Sequence, residues 1–485
     1  MKLVKSIVFR SRLNEDMPAI AFPGGIATYG ALMKAVGAAA DAIRIFELAP
    51  GTPVLLDIRN PIHHTAMVFA LALLGLPSAS VGTASVAETA GFLPKLFFTD
   101  RPDVKSAGIR QIQVDERWFA TDPAARPDYT RLLALPGFPS GDSIVRLVYS
   151  SGTTGMPKCV GLTADNLERR IFNSHVTFPQ RLRGPAVLNM MGLSTISGTT
   201  TLFAAHFGGN LACYAGSAAE ALRLVRLFHV NLLMASVSQL RQLVEAEGDQ
   251  APPPSLDAVV VLGSKLSPSL LDETRLRLCN TVLFGYGSTE LNMATLGTST
   301  GTEMPEGFAG HVLPWVSIEA TDDDGNPLPP GQPGRLRVRS EEMAFYLRPD
   351  GSREELGADG WFHPGDIGRI DSAGRLVVTG RSGDVLNRGG VVVAPELIED
   401  VLRTDPQVRD VAVVGVAGAH GIEEIWAAVV SDGLVDAQRL VAAARGRLNE
   451  KVPDRVVQVS IIPRNDMGKI KRSELREQLL ARVRS

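Results

Sequence analysis

The sequence predicts an α/β protein: a large N-terminal domain of layered α/β subdomains plus a small antiparallel β subdomain, followed by a small α+β C-terminal domain. Three observations predict it. Helical stretches alternate with short β-branched runs over residues 28–81, the pattern of a mostly parallel sheet covered by helices. From Pro305 the texture changes to short alternating segments such as 335–339, with turns at Asp324-Gly325 and Pro330-Gly331. Beyond Ser382 a further group of helices and strands is long enough to fold compactly by itself.

In chain order, the spacing predicts a helix over 30–48, a turn at Pro50-Gly51 and a strand over 54–58. Asn60-Pro61 supplies an N-cap and a first helical residue for a buried helix, which Gly75 and Pro77 close. The Pro/Asp-rich stretch 121–143 reads as a surface connection, and the apolar run 144–148 as a buried strand. Helical segments follow at 166–174 and 222–230, with an apolar, hydroxyl-rich stretch over 187–209 between them. Strands over 259–262 and 281–284 each end in a glycine turn, and both turns are expected at one edge of the sheet. In the last part, a helix starts at Pro395, strands lie over 411–416, 425–430 and 456–462, and a helix spans 437–448. A tail helix from Ser473 places Leu475, Leu479 and Val483 on one stripe.

The chain has 485 residues, enough for more than one domain, and a formal net charge of -3. That charge gives no basic footprint for nucleic acid or an anionic membrane, so small-molecule chemistry is favoured. The longest apolar stretch, 66–76, is too short for a bilayer, which needs roughly 20 residues. The charged residues Arg10, Arg12, Glu15 and Asp16 interrupt any signal-peptide pattern. Three widely separated cysteines without metal-ligand spacing suit a reducing cytoplasm, and the adjacent His63-His64 suits a helix start rather than a metal.

Four stretches carry candidate chemistry. Ser150, Ser151, Gly152, Thr153, Thr154, Gly155 and Lys158 follow the apolar strand and can surround phosphate oxygens, although the same composition serves a polar turn between strands. Gly285, Tyr286, Gly287, Ser288, Thr289 and Glu290 bring an aromatic face, hydroxyls and a carboxylate to one turn. Such groups can meet a purine, a phosphate and a magnesium ion, or simply cap a loop. Asp366 and Arg381 can hold a ribose or be an ordinary turn carboxylate and a surface cation. Lys469 follows Gly468 in a basic loop that can deliver a compact charge to a phosphate.

In this order and approximate spacing, the four stretches resemble the adenylate-forming superfamily of acyl-CoA synthetases, peptide-synthetase adenylation domains and luciferases, over essentially the whole chain. The resemblance implies a large AMP-binding domain over 1–380, a hinge at 381–383 containing Gly383, and a mobile C-terminal domain over 384–485. It implies that residues 150–158 close over the β- and γ-phosphates of ATP, and that Gly263, Ser264, Lys265, Gly285 and Tyr286 form the adenine pocket. Gly287 and Ser288 belong to the same nucleotide loop. Thr289 and Glu290 serve the α-phosphate and Mg2+, Asp366 and Arg381 the ribose, and Lys469 adenylation itself. The acyl pocket is expected at Met191, Thr195, Gly198 and Ser236, and the thiol tunnel at Gly389 and Gly390.

The implied reaction joins a carboxylic acid to CoA, or to a phosphopantetheinyl carrier protein, through an acyl-adenylate. Thr195 stands where relatives place an aromatic residue or histidine, and Gly383 where Asp or Lys is common. No aspartate occurs over 187–209 to pair with a substrate ammonium, so an acid without an α-amino group is expected. Arg388, Arg464, Lys471 and Arg472 are candidate contacts for CoA phosphates or an acidic carrier surface. A non-catalytic protein that binds nucleotide or acyl-adenylate is the reading from a different class.

Overall fold

The computed structural model describes residues 2–82, 94, 96–104, 108–150, 158–178, 186–248, 250–299, 307–357, 359–381, 386–388, 391–393, 395–417, 423–448, 452–464 and 468–484. The expectations for Ser151, Gly152, Thr153, Thr154, Gly155, Gly383, Gly389 and Gly390 fall outside these residues. The chain forms two compact units: Met1–Leu262, Pro268–Thr302 and Ser340–Gly360 make one, and Gly263–Ser267, Glu303–Arg339 and Trp361–Ser485 the other.

The first unit contains two sheets with helices packed on them. In one, parallel strands run in the order Val282–Phe284, Ala258–Leu262, Leu232–Ser236, Ala186–Asn189, Leu211–Cys213 and Pro18–Phe22. Because the strands ending at Leu262 and Phe284 are parallel neighbours, the turns that follow them do start at one sheet edge. In the other sheet, Ile144–Ser150, Ser78–Ser80, Val54–Asp57, Leu96–Thr99 and Arg110–Gln113 are parallel. Lys158–Thr163, Phe345–Leu347 and Arg353–Glu355 extend it antiparallel.

The helix Pro61–Leu73 is apolar and buried from Ala66 onward, with Asn60 Oδ1 accepting from the Ile62 and His63 amides as its cap. Its core neighbours include Tyr29, Leu32 and Val36 of the helix Tyr29–Arg44 and Phe203 of the helix Ile196–Gly208. The stretch expected as a surface connection is partly core. Tyr129, Leu132, Leu135 and Phe138 are buried, and the Tyr129 hydroxyl donates to Ser11 O. Its prolines punctuate the backbone without excluding the apolar residues between them. The opposite side of this contact is the N-terminal helix Lys2–Leu13, which the sequence reading leaves out.

The second unit carries the expected antiparallel strands Val316–Thr321, Gly334–Ser340, Asp366–Ile370, Arg375–Arg381 and Phe308–Val312. It also carries a three-stranded sheet of Asp410–Ala417, Glu423–Val430 and Arg455–Gln458. Val411 and Val413 face the helices Pro395–Arg403 and Ala437–Leu448, whereas Ala412, Val414 and Val416 face Leu475 and Leu479 of the tail helix Arg472–Arg484. The strand period of two thus assigns alternate residues to two small cores.

Candidate active site

Ser150 and Lys158 are register partners at the open end of an antiparallel pair, so the two strands bracket the glycine-rich segment between them. Ser150 Oγ is buried with no hydrogen-bond partner among the described residues, a cost that an incoming oxygen atom removes. Lys158 is exposed, and its Nζ lies 4.5 Å from the centroid of the Tyr346 ring. Tyr346 belongs to the neighbouring strand, where it pairs with Val160, two residues from Lys158 and on the same face.

The Tyr346 hydroxyl donates to Glu290 Oε1 at 2.9 Å. Burial, and then the nearby Glu290 carboxylate, push the phenol far above its ordinary range, so it remains a proton donor. Thr289 and Glu290 are held by their backbones. Arg170 donates to Thr289 O at 3.1 Å and to Glu290 O at 2.9 Å, and the Ala344 amide donates to Glu290 O at 2.9 Å. Arg170 is fully buried, which pulls it down to about 10, while the Glu342 and Glu290 carboxylates oppose that shift. Glu342, also buried, accepts from Asn173 and Asn292.

The two glycines before this acidic turn are required by close backbone approach. A Cβ on Gly285 would lie 2.2 Å from Thr295 O, and one on Gly287 2.1 Å from Asn292 O. Between them, the Tyr286 amide donates to Thr295 Oγ1 at 3.0 Å and Tyr286 O accepts from Ala294. Ser288 Oγ accepts from the Leu291 amide at 3.3 Å.

The expected acyl-pocket residues lie at the carboxyl ends of neighbouring strands, where two of them are helix caps. Thr195 Oγ1 donates to Gly192 O at 3.0 Å and accepts from the Gly198 amide at 2.9 Å, starting the helix Ile196–Gly208. Gly198 is glycine because a Cβ would meet Gly192 O at 1.9 Å. Ser236 forms a reciprocal capping box with Gln239, whose Nε2 donates to Met190 O. Met191 is buried, and its amide donates to Asn189 Oδ1; Asn189 Nδ2 in turn donates to Ser197 and to Thr201 Oγ1.

In the second unit, Asp366 and Arg381 are cross-strand partners joined by an ion pair. Gly263 adopts φ +99°, followed by Ser264 and by Lys265, which pairs with Asp400. Lys469 follows Gly468, which is at φ +74°. Arg464 forks across both Asp410 oxygens at 2.8 Å and donates to Gly468 O at 2.8 Å, fixing the carbonyl immediately before the lysine.

Two of the cations expected to meet the thiol carrier have other duties. Besides the Arg464 fork, Arg472 pairs with Glu396 and Glu399 and caps Val413 O. Lys471 lies 3.4 Å from Glu474. Arg464 and Arg472 are ambiguous in sequence, because their acidic partners lie more than 50 positions away.

Sequence reasoning also misses Tyr346, Arg170, Glu342 and Asn189. Arg170 leaves a trace: it shares the apolar stripe of its helix with Leu167, Ile171 and Ser174, where a solvated arginine does not belong. Tyr346 leaves none, since an aromatic residue in a short strand ordinarily reads as core.

One carboxylate and one orphan hydroxyl suit magnesium brought in with nucleotide phosphates, because that ion uses few protein ligands there. Among the described residues, no group of three or more His, Cys, Asp and Glu could hold a metal ion. Nor, among them, is any helix long and apolar enough to cross a membrane.

The family model for AMP-binding enzymes matches residues 10–345, and that for the AMP-binding enzyme C-terminal domain matches 397–469. The chain belongs to the AMP-binding enzyme family. It is 27% identical to the long-chain-fatty-acid–CoA ligase FadD13 of Mycobacterium tuberculosis, over 94% of each chain. It is 26% identical to the fatty acid–[acyl-carrier-protein] ligase ScoC of Streptomyces coeruleorubidus, over 98% of this chain and 96% of that one. Its fold matches Bacillus subtilis o-succinylbenzoate CoA synthetase in complex with the acyl-adenylate intermediate OSB-AMP, with a TM-score of 0.83, 22% identity and 97% of each chain covered.

Proposed function

We propose that the chain activates a carboxylic acid lacking an α-amino group and transfers the acyl group to CoA in the cytoplasm. In the first half-reaction a carboxylate oxygen bonds to the α-phosphorus of ATP while the bond to the β-phosphate bridge breaks, releasing pyrophosphate. In the second, a thiol sulfur bonds to the acyl carbon, the mixed-anhydride C–O bond breaks, and AMP leaves as the thiol proton passes to solvent. The observation that carries this reading is that the Lys158 ammonium and the Glu290 carboxylate both meet Tyr346, while the orphan Ser150 hydroxyl sits on the register partner of Lys158. It supplies both signs of charge that a magnesium triphosphate needs.

Magnesium, when bound, neutralises charge on the phosphates and on departing pyrophosphate. Glu290 holds it, Ser150 and Lys158 hold the phosphates, and Thr289 faces the α-phosphate. Gly263, Ser264, Lys265, Gly285 and Tyr286 accept the adenine, with Gly287 and Ser288 shaping the same loop. Asp366 and Arg381 hold the ribose, and Lys469 bridges the attacking carboxylate and the α-phosphate. Met191, Thr195, Gly198 and Ser236 border the acid. A hinge at residues 381–383, at the end of a large domain over 1–380, then turns the domain over 384–485 so that Gly389 and Gly390 meet the thiol.

A carrier protein is the second acceptor, favoured by the likeness to ScoC. ATP–pyrophosphate exchange across aryl, short-chain and medium-chain acids tests the first half-reaction. Mass spectrometry of products with CoA and with holo-carrier protein then assigns the acceptor. Exchange with at least one acid and a CoA thioester product are expected; ATP binding without exchange for any acid overturns the enzymatic reading.

A further inference from the structure

Tyr346 touches two candidate ATP-binding groups at once, and neither contact follows from sequence neighbourhood. Its ring face carries the Lys158 ammonium, and its hydroxyl donates to Glu290 Oε1. The residue is well placed for both because its strand, Phe345–Leu347, pairs with the strand that Lys158 begins. Two residues before Tyr346, the Ala344 amide pins the Glu290 carbonyl. A tyrosine meant only to fill a core would not need its hydroxyl on a carboxylate, and a leucine would not hold an ammonium.

We infer that Tyr346 is a positioning residue for the ATP–magnesium site: its hydroxyl orients the Glu290 carboxylate toward the metal, and its ring parks Lys158 until phosphate arrives. This rests on the reading of Glu290 and Lys158 given above. Hydrogen bonding fixes one carboxylate oxygen and so selects the direction in which the group can coordinate. The ring holds the lysine through a contact weak enough to be exchanged for a phosphate, because an exposed cation–π pair is much weaker than a charge-assisted hydrogen bond to a phosphate. Lys158 and Glu290 are thereby held together before nucleotide enters.

The substitution Tyr346→Phe separates the two duties, because it keeps the ring and removes the donor. Calorimetry of ATP binding in the presence and absence of Mg2+ needs no acid substrate. In Tyr346→Phe, the Mg2+ concentration for half-maximal enhancement of ATP binding rises about tenfold, the low end for loss of a partner to a metal ligand. Affinity for metal-free ATP stays at the wild-type value. Tyr346→Leu shows the same Mg2+ shift and a further loss of affinity for metal-free ATP. On a Glu290→Gln background, Tyr346→Phe adds nothing to the Mg2+ shift, because the two side chains act as one unit.

Unchanged Mg2+ dependence in Tyr346→Phe overturns the inference, as does an equal loss of ATP affinity with and without the metal, which marks a general packing defect. Exchange assays on the wild-type chain judge the proposed reaction separately. A wild-type chain that binds Mg2+ and ATP but exchanges with no acid overturns the reaction and leaves the calorimetric result standing for Tyr346.

Discussion

Arg381 Nε donates to Asp366 Oδ1 at 2.9 Å across a pair of antiparallel strands in which the two residues are register partners. The Asp366 side chain is only 6% exposed, so this contact fixes the face it can offer to a ligand. Asp366→Ala is expected to raise the KM for ATP by about ten- to a hundredfold, through the lost charge-assisted hydrogen bonds. Substitution of 2′-deoxy-ATP provides the check: the wild-type enzyme discriminates against it and the variant does not. Equal discrimination by both assigns the ribose elsewhere.

The Arg464 fork gives the lysine loop a defined base. Lys469→Ala is expected to slow adenylation about a hundred- to a thousandfold, the scale of losing one stabiliser of developing charge. Thioester formation from preformed acyl-adenylate is expected to persist. Asp410→Asn, which weakens the fork, slows the same half-reaction by about tenfold. Loss of both half-reactions in either variant contradicts a role confined to adenylation.

Gly285 has no room for a side chain. Gly285→Ala forces the chain away from Thr295 O and is expected to weaken ATP binding at least tenfold, with helical content unchanged by circular dichroism. Gly446→Ala is the contrasting case, since nothing lies within 4 Å of the new Cβ on the helix Ala437–Leu448. That change stabilises by about 0.5–1 kcal/mol, read from the denaturation midpoint.

Acid sensitivity follows from two buried imidazoles. Burial pulls His64 and His206 down to about 4, and for His64 the nearby Arg146 adds to the effect. Their folded-state values lie below the ordinary 6.5, so the unfolded chain takes up protons first as pH falls. The stability these groups contribute is complete above about pH 6.5 and is lost as pH drops through about 4, at roughly 3 kcal/mol each. Urea midpoints measured between pH 7 and pH 4 are expected to fall steeply. In His206→Gln the slope flattens, and an unchanged slope removes His206 from the account.

Much of the local geometry around the candidate residues was legible because glycines and charges obey local rules. Gly285 and Gly287 stand where backbones nearly touch, and Asp366 and Arg381 pair across neighbouring strands. Asn60 and Pro61 announced the helix that they begin. What stayed hidden depends on distant pairing. Tyr346 gains its meaning only when its strand docks beside Lys158, and Arg464, expected as a contact for CoA phosphates or an acidic carrier surface, is paired with Asp410 only by the fold. Thr195 was legible as an unusual residue at its position, but its duty as a cap emerged only from the helix start.

The partners that secure Glu290 have a consequence for how the enzyme is made. Tyr346 lies 56 residues downstream of Glu290, and Glu342 lies 172 residues after Arg170. At translation rates of roughly 5–20 residues per second, the acidic turn leaves the ribosome several seconds before the strand that steadies it. Throughout that interval Arg170 waits without the backbone carbonyl and carboxylate of Glu342. A nascent chain stopped before residue 340 therefore carries Ser150, Lys158 and Glu290 without the scaffold that aims them, and competence arrives late in synthesis rather than growing in proportion to length.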